Sequence, residues 1–230
     1  MSSVLITGAN RGVGLALTLT YLGRGWDVVA TARQPEAAAD LARLARDNPQ
    51  LMVLRADVTD EASLTAAALS IGDRAIDVVV CNAGVMSNRG GVEAAGNDAA
   101  DWNRVLATNV TGVFVTARAF MGHLKRANAG KLALMSSMMA SSQLAAGNAL
   151  GYRASKAAVA NLGANLAVEL KPAGIAVGIY HPGWVSSDMG GPGAPVKPND
   201  SAKGIVERID HLTLATTGVF EDYLGKPYAF

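Results

Sequence analysis

Cysteine is almost absent from this chain: Cys81 stands alone among 230 residues. A single thiol excludes an internal disulfide and an all-cysteine metal centre, and its place in an apolar run marks it as a small core residue. Histidine is scarce too. His123, His181 and His211 are the only three, and none stands in a Cys or carboxylate cluster at metal-ligand spacing, so no metal is expected. No apolar run reaches the roughly 18 residues that cross a bilayer. Met1-Ser2-Ser3 leads straight into a strand, without the basic start and apolar stretch of a signal peptide. An excess of one charge is also missing: 20 Lys and Arg face 19 Asp and Glu, with no basic run. That balance argues against nucleic acid as a partner. The expectation is a cytoplasmic protein with no membrane or nucleic-acid partner.

What the chain does have is core. Half of its residues are hydrophobic and 17% charged, which fits one α/β domain over residues 1–230 with both sheet faces covered. Apolar strands alternate with helical stretches throughout, which predicts a doubly wound parallel sheet with helices on both faces. Ser3-Val4-Leu5-Ile6 is the first strand, followed by Thr7-Gly8-Ala9-Asn10-Arg11-Gly12-Val13-Gly14 and a helix over 12–24 that carries Leu15, Leu19 and Leu22 inward. Strand, glycine-rich turn and helix form the geometry that takes a pyrophosphate. Glycines let the backbone approach, and the helix N-terminus offers free N–H groups. The Gly-Lys-Ser/Thr ending of a P-loop is absent.

The second strand ends in Thr31-Ala32-Arg33. An acid at this point binds free ribose hydroxyls, whereas an arginine suits a 2′-phosphate; here the acid is missing, and Arg33 and Arg11 are the candidates. Either arginine is equally readable as a solvated side chain. Asp57, at the end of the third strand, is placed either to meet an adenine or to cap the following helix. Asn82-Ala83-Gly84 closes a strand of nearly continuous β-branched residues with small side chains that let a ligand come close. A long helix is predicted over 101–126, yet Thr108-Asn109-Val110-Thr111-Gly112 in its middle are poor helix formers, which reads as a kink or as a mark of function. Helices over 35–47, 61–70 and 198–212 are also predicted.

Gly151-Tyr152-Arg153-Ala154-Ser155-Lys156 opens a further helix, over 152–171. Residues four apart share a helix face, so the Lys156 ammonium is expected beside the Tyr152 phenol. A free tyrosine titrates near pH 10, and a neighbouring cation draws that value toward the working range of an acid–base catalyst.

Thr7-Gly8-x-x-x-Gly12-x-Gly14, Asp57, Asn82-Ala83-Gly84, Asn109, Ser137, Tyr152-x-x-x-Lys156 and Pro182-Gly183 follow one another in a single order. In these motifs the whole chain resembles the short-chain dehydrogenase/reductase superfamily. Ile6-Thr7-Gly8-Ala9-Asn10-Arg11-Gly12 and His181-Pro182-Gly183-Trp184-Val185 are similar to its C-factor and sniffer-like carbonyl reductases. The resemblance implies a Rossmann fold of about seven strands. It implies hydride transfer between NADP(H), with NAD(H) less favoured, and a small carbonyl or alcohol substrate. Tyr152 would be the general acid or base and Lys156 would lower its pKa. Ser137 would polarise the carbonyl, and Asn109 would anchor a water for proton resupply. Cofactor contacts would come from Gly8, Asn10, Arg11, Gly12, Val13 and Gly14 in the first turn. Arg33, Asp57, Val58, Asn82, Ala83 and Gly84 would add to them, with Tyr152, Lys156, Pro182, Gly183, Val185 and Ser187 at the other end. A homodimer or homotetramer packed through the 101–126 and 152–171 helices is also implied.

There is one departure. The family's usual serine-to-tyrosine spacing would select Met139; Ser137 lies two residues further back, so a two-residue insertion is inferred, with Ser141 and Ser142 as other candidates. A dinucleotide-binding regulator without turnover is the alternative reading, and a methyltransferase on a similar sheet is disfavoured by the Tyr–Lys pair. The substrate pocket falls in loops 86–97, 138–150 and 189–199, whose small and apolar residues point to an uncharged substrate.

Overall fold

The runs Val4-Leu5-Ile6 and Val78-Val79-Val80-Cys81 are apolar on both faces, so a sheet built from them must be covered on both sides. The computed structural model, which describes residues 2–230, does this with β1 (Ser3–Ile6), β2 (Asp27–Ala32), β3 (Leu51–Arg55), β4 (Val78–Cys81), β5 (Lys131–Met135), β6 (Ala176–His181) and β7 (Val219–Asp222). All neighbours pair in parallel, in the order β3-β2-β1-β4-β5-β6-β7. The order reverses between β1 and β4, which opens a crevice at their carboxyl ends.

Alternate side chains of β1 enter different layers: Val4 and Ile6 join one core, Leu5 the other. The first layer is closed by α1 (Gly12–Leu22), α2 (Ala39–Asp47) and α8 (Pro198–His211), through Leu17, Tyr21, Leu41, Ile205 and Ile209. The second is closed by α3 (Glu61–Ile71), α5 (Gly112–Ala119), α6 (Met121–Arg126) and α7 (Leu150–Leu170), through Leu64, Val113, Leu124, Val159 and Leu166. The Lys131 ammonium at the start of β5 donates to the carbonyls of Ile209 and Asp210 and so caps the last turn of α8.

Three helix expectations are corrected. The buried stripe of α1 is Gly14, Leu17, Thr18 and Tyr21; Leu15 and Leu22 pack half-buried at its margins, while Leu19, expected inward, is 43% exposed. Gly14 packs against the first turn so closely that it sets the rotation of the helix, and its i+3, i+4 and i+7 neighbours follow it inward. The stretch 35–47 begins as a 3₁₀ turn, Pro35–Ala37, and becomes α-helical only at Ala39. The 101–126 helix is four pieces: α4 (Ala99–Leu106), a π-helical turn (Ala107–Thr111), α5, and α6 set off by Phe120. The poor helix formers fall on the π turn, where one extra residue swings Asn109 into the interior.

Candidate active site

The first turn is wedged between β1, α1 and the tip of β4. Gly8 and Gly12 have φ of 66° and 55°. A Cβ on Gly14 would lie 2.3 Å from the Gly8 carbonyl oxygen, and one on Gly8 would lie 2.9 Å from the Ala83 Cα. Asn82 Nδ2 donates to the carbonyls of Thr7 and Gly8, at 2.9 and 3.1 Å, while Thr7 Oγ1 accepts from the backbone N–H groups of Asn82 and Ala83. Asn82 therefore braces the turn. The first turn of α1 holds no acidic residue and no side-chain cap, so its positive end is offered to the crevice.

The crevice is a cleft of ≈ 700 Å³ running from Arg33 past the glycine turn to Tyr152 and Lys156. Gly8, Asn10, Arg11, Gly12, Val13 and Gly14 line it, with Arg33, Asp57, Val58, Asn82, Ala83, Gly84, Pro182 and Ser187. Gly183 and Val185 do not. Val185 is buried, and Gly183, at φ +87°, backs onto the Tyr223 ring. Asn109 and Ser137 stand behind the wall, both buried. Helix capping falls to Asp60, which accepts from Ala62 and Ser63, while Asp57 Oδ1 takes the Thr59 N–H and hydroxyl. Arg11 lines the cleft and pairs with Asp188, both side chains being largely exposed; Arg33 is exposed and has no ion pair among the described residues.

At the far end the Tyr152 phenol is buried. Burial pushes its pKa up to about 12, against opposing pulls from a Ser137 hydrogen bond and the Arg89 charge. Ser137 Oγ also accepts from the Met139 N–H at 3.1 Å. Ser141 is buried without a bond to the phenol, and Ser142 is exposed. Lys156 is 4% exposed; its Nζ donates to the Met135 carbonyl at 2.7 Å and lies 5.6 Å from the Tyr152 ring centroid. Against the expectation that Lys156 lowers the tyrosine pKa, burial dominates at the phenol and leaves it raised. The ammonium sits over the ring and is held by Met135, and burial draws its own pKa down to about 8.

Both amide hydrogens of Asn109 are taken, by the Val85 carbonyl at 2.9 Å and Ser155 Oγ at 3.0 Å, and its Oδ1 accepts from the Val85 N–H. Ser155 in turn donates to the Tyr152 carbonyl at 2.8 Å. Asn109 thereby ties the loop after β4 to the first turn of α7 and has no donor left for a water. Sequence reasoning missed Ser87, whose Oγ accepts from the Tyr152 N–H at 3.0 Å; a serine within a Gly- and Asn-rich loop gave no signal. Asp188 and Arg89 were missed for the same reason, since both act across long sequence separations.

A switch-point cleft that starts at a glycine turn and ends at a buried Tyr–Ser pair beside a lysine defines an oxidoreductase of the doubly wound α/β class. A profile described as short chain dehydrogenase matches residues 2–195. Cis-4-hydroxycyclohexanecarboxylate dehydrogenase of Sinomonas cyclohexanicum is 33% identical over 190 residues, covering 80% of this chain and 74% of that protein. The structure of NADPH-bound carbonyl reductase from chicken fatty liver superposes with a TM-score of 0.94 at 31% identity, covering 100% of this chain and 99% of that one. Carbonyl reductase Sniffer of D. melanogaster gives 0.94 at 30% identity, with 100% of both chains covered. The chain belongs to the short-chain dehydrogenase family, and its structural likeness lies with the carbonyl reductase branch.

Proposed function

We propose that the protein is an NADP(H)-dependent oxidoreductase that interconverts a small carbonyl compound and its alcohol. The observation that carries this reading is the buried set of Ser137, Tyr152 and Lys156 at the closed end of the cleft, with the Lys156 ammonium 5.6 Å from the Tyr152 ring centroid. Two features support NADP(H) over NAD(H): β2 ends without a carboxylate, and Arg33 stands free at that end of the cleft. The unneutralised N-terminus of α1 and the close-packed glycine turn suit the pyrophosphate, and Pro182 and Ser187 suit the nicotinamide half.

The bound cofactor supplies the hydride, or accepts it in the reverse direction. Tyr152 protonates the carbonyl oxygen, and a phenol with a pKa of about 12 holds that proton throughout the neutral range. Ser137 donates to the same oxygen and stabilises the charge that develops there. Lys156 holds positive charge at the base of the site and anchors a ribose. Asn109 is a positioning residue that supports the proton path by fixing Ser155 and the Tyr152 turn. Consumption of NADPH with a panel of aldehydes and ketones tests the reading. Turnover by the native protein, together with its loss in Tyr152→Phe, is the expected result; no turnover with any of them would leave a dinucleotide-binding protein without this chemistry.

We place residues 1–230 in one catalytic domain acting in the cytoplasm as a homodimer or homotetramer. Exposed Phe114 on α5 and Val168 on α7 support packing through those helices. No helix among the described residues is long and apolar enough to cross a membrane.

A further inference from the structure

Arg89 bridges the substrate end of the cleft. Its backbone carbonyl accepts from the Ala149 N–H at 3.2 Å, three residues before Tyr152, and its Nη2 donates to the Met189 carbonyl on the far side. Met189 lines the cleft with Tyr152 and Ser187. The guanidinium therefore ties the loop after β4 to the loop after β6, next to a residue that lines the cleft with Tyr152. The Arg89 side chain is exposed, and the backbone just before it is fixed. Asn88 N–H is held by Asp101 Oδ2 at 2.8 Å, Ser87 is bonded to the Tyr152 N–H, and Gly151 packs on Ser87.

Seven arginines of the described chain have a carboxylate within ion-pair distance, and Arg89 is not one of them. Of its five N–H donors only one is committed, to Met189. Its charge is felt at the Tyr152 phenol, where it opposes the effect of burial. Of the other arginines near this loop, Arg104 is held by Asp101 and the Met86 carbonyl, and Arg153 by the Leu144 and Asn148 carbonyls. A planar fork with no carboxylate partner, bonded to a residue that lines the Tyr152 end of the cleft, is suited to a carboxylate, which it meets with two parallel hydrogen bonds.

We propose that Arg89 binds a carboxylate on the substrate, so that the protein acts on oxo acids and the corresponding hydroxy acids. The carbonyl lies at Tyr152 and Ser137 while the acid group lies at Arg89. This rests on the redox reading above and names its substrate class, and it departs from the uncharged substrate expected from the loop composition. Arg89 selects and orients; it takes no part in proton or hydride transfer.

The test is calorimetric titration of the NADP-saturated protein with benzoate and with its neutral counterpart benzamide. Benzoate should bind about tenfold more tightly, a 1.4 kcal/mol difference. Arg89→Gln should erase that preference while leaving NADP affinity unchanged, and Arg89→Lys should keep part of it, because a lysine supplies charge without the fork. Equal binding of the two probes by the native protein overturns the proposal, as does no benzoate binding. A preference that survives in Arg89→Gln overturns it by placing the anion elsewhere. Equal weakening of both probes in that variant overturns it too, leaving Arg89 as a loop staple. A failure to oxidise NADPH with any carbonyl would instead strike the redox reading and leave the titration result standing.

Discussion

Replacing Ser137 by alanine separates catalysis from folding at this site. The hydroxyl has two roles: it accepts from the Met139 N–H at 3.1 Å, and it draws the pKa of the Tyr152 phenol down against the effect of burial. The first contact caps a three-residue 3₁₀ turn, Met138–Ala140, and losing a cap costs about 1 kcal/mol of stability. The second sits where a carbonyl oxygen would gain charge, and losing one such donor costs roughly 2.7–4 kcal/mol of transition-state stabilisation, or about 10²–10³ in kcat. The Tyr152 pKa should also rise further, because the Ser137 bond is what pulls it down most. The control is Ser141→Ala. Ser141 is 4% exposed but makes no bond to the phenol, so its loss should cost less than about tenfold, the 1.36 kcal/mol scale. Steady-state NADPH oxidation at saturating carbonyl, with thermal melts of both variants, reads the two effects apart. If Ser141→Ala were the more damaging change, or if Ser137→Ala stayed within a few fold of native, the assignment of the serine would be wrong.

Tyr152→Phe should lower turnover by about 10²–10⁴ while cofactor affinity, measured by fluorescence titration, stays within a few fold, since only the transferable proton is removed. Arg33→Ala should weaken NADP(H) roughly tenfold and leave NAD(H) nearly unchanged. A charged hydrogen bond is worth about 1.5–3 kcal/mol before exposure is discounted, and Arg11 is already engaged by Asp188. Equal NADP(H) and NAD(H) affinities in the native protein would refute that role. His181 should make the fold acid-sensitive. Its buried ring, with Nδ1 unpartnered, resists protonation down to about 4, whereas the unfolded chain takes up the proton near 6.5. Stability is therefore constant above about pH 6.5 and falls by about 3 kcal/mol as the pH drops toward 4. Urea titrations across that range should show a shallower fall for His181→Phe; identical slopes would exclude the histidine.

The order of strands and helices, the glycine turn and the Tyr152–Lys156 spacing were all legible in the sequence. Each is a local matter of periodicity, backbone permissiveness or helical register. The poor helix formers at 108–112 correctly marked a disturbance but not its form. A π turn is settled by what Asn109 meets, and its partners Val85 and Ser155 are distant in sequence. The rotation of α1 depended on the press of Gly14 against the Gly8 carbonyl, so the leucine spacing marked the margins of the buried face, with Leu15 and Leu22 half-buried and Leu19 exposed. The sequence put Lys156 on the same helix face as Tyr152, yet only the packed structure sends its ammonium to the Met135 carbonyl. It is also only in the fold that Arg11 finds Asp188, 177 residues away, and that Arg89 reaches Met189, 100 residues away. Pattern along a chain specifies which side chains can share an element. Burial, charge pairing and hydrogen-bond choice are set by groups that meet only when the whole sheet has closed, and those decide how the site's acids and cations behave.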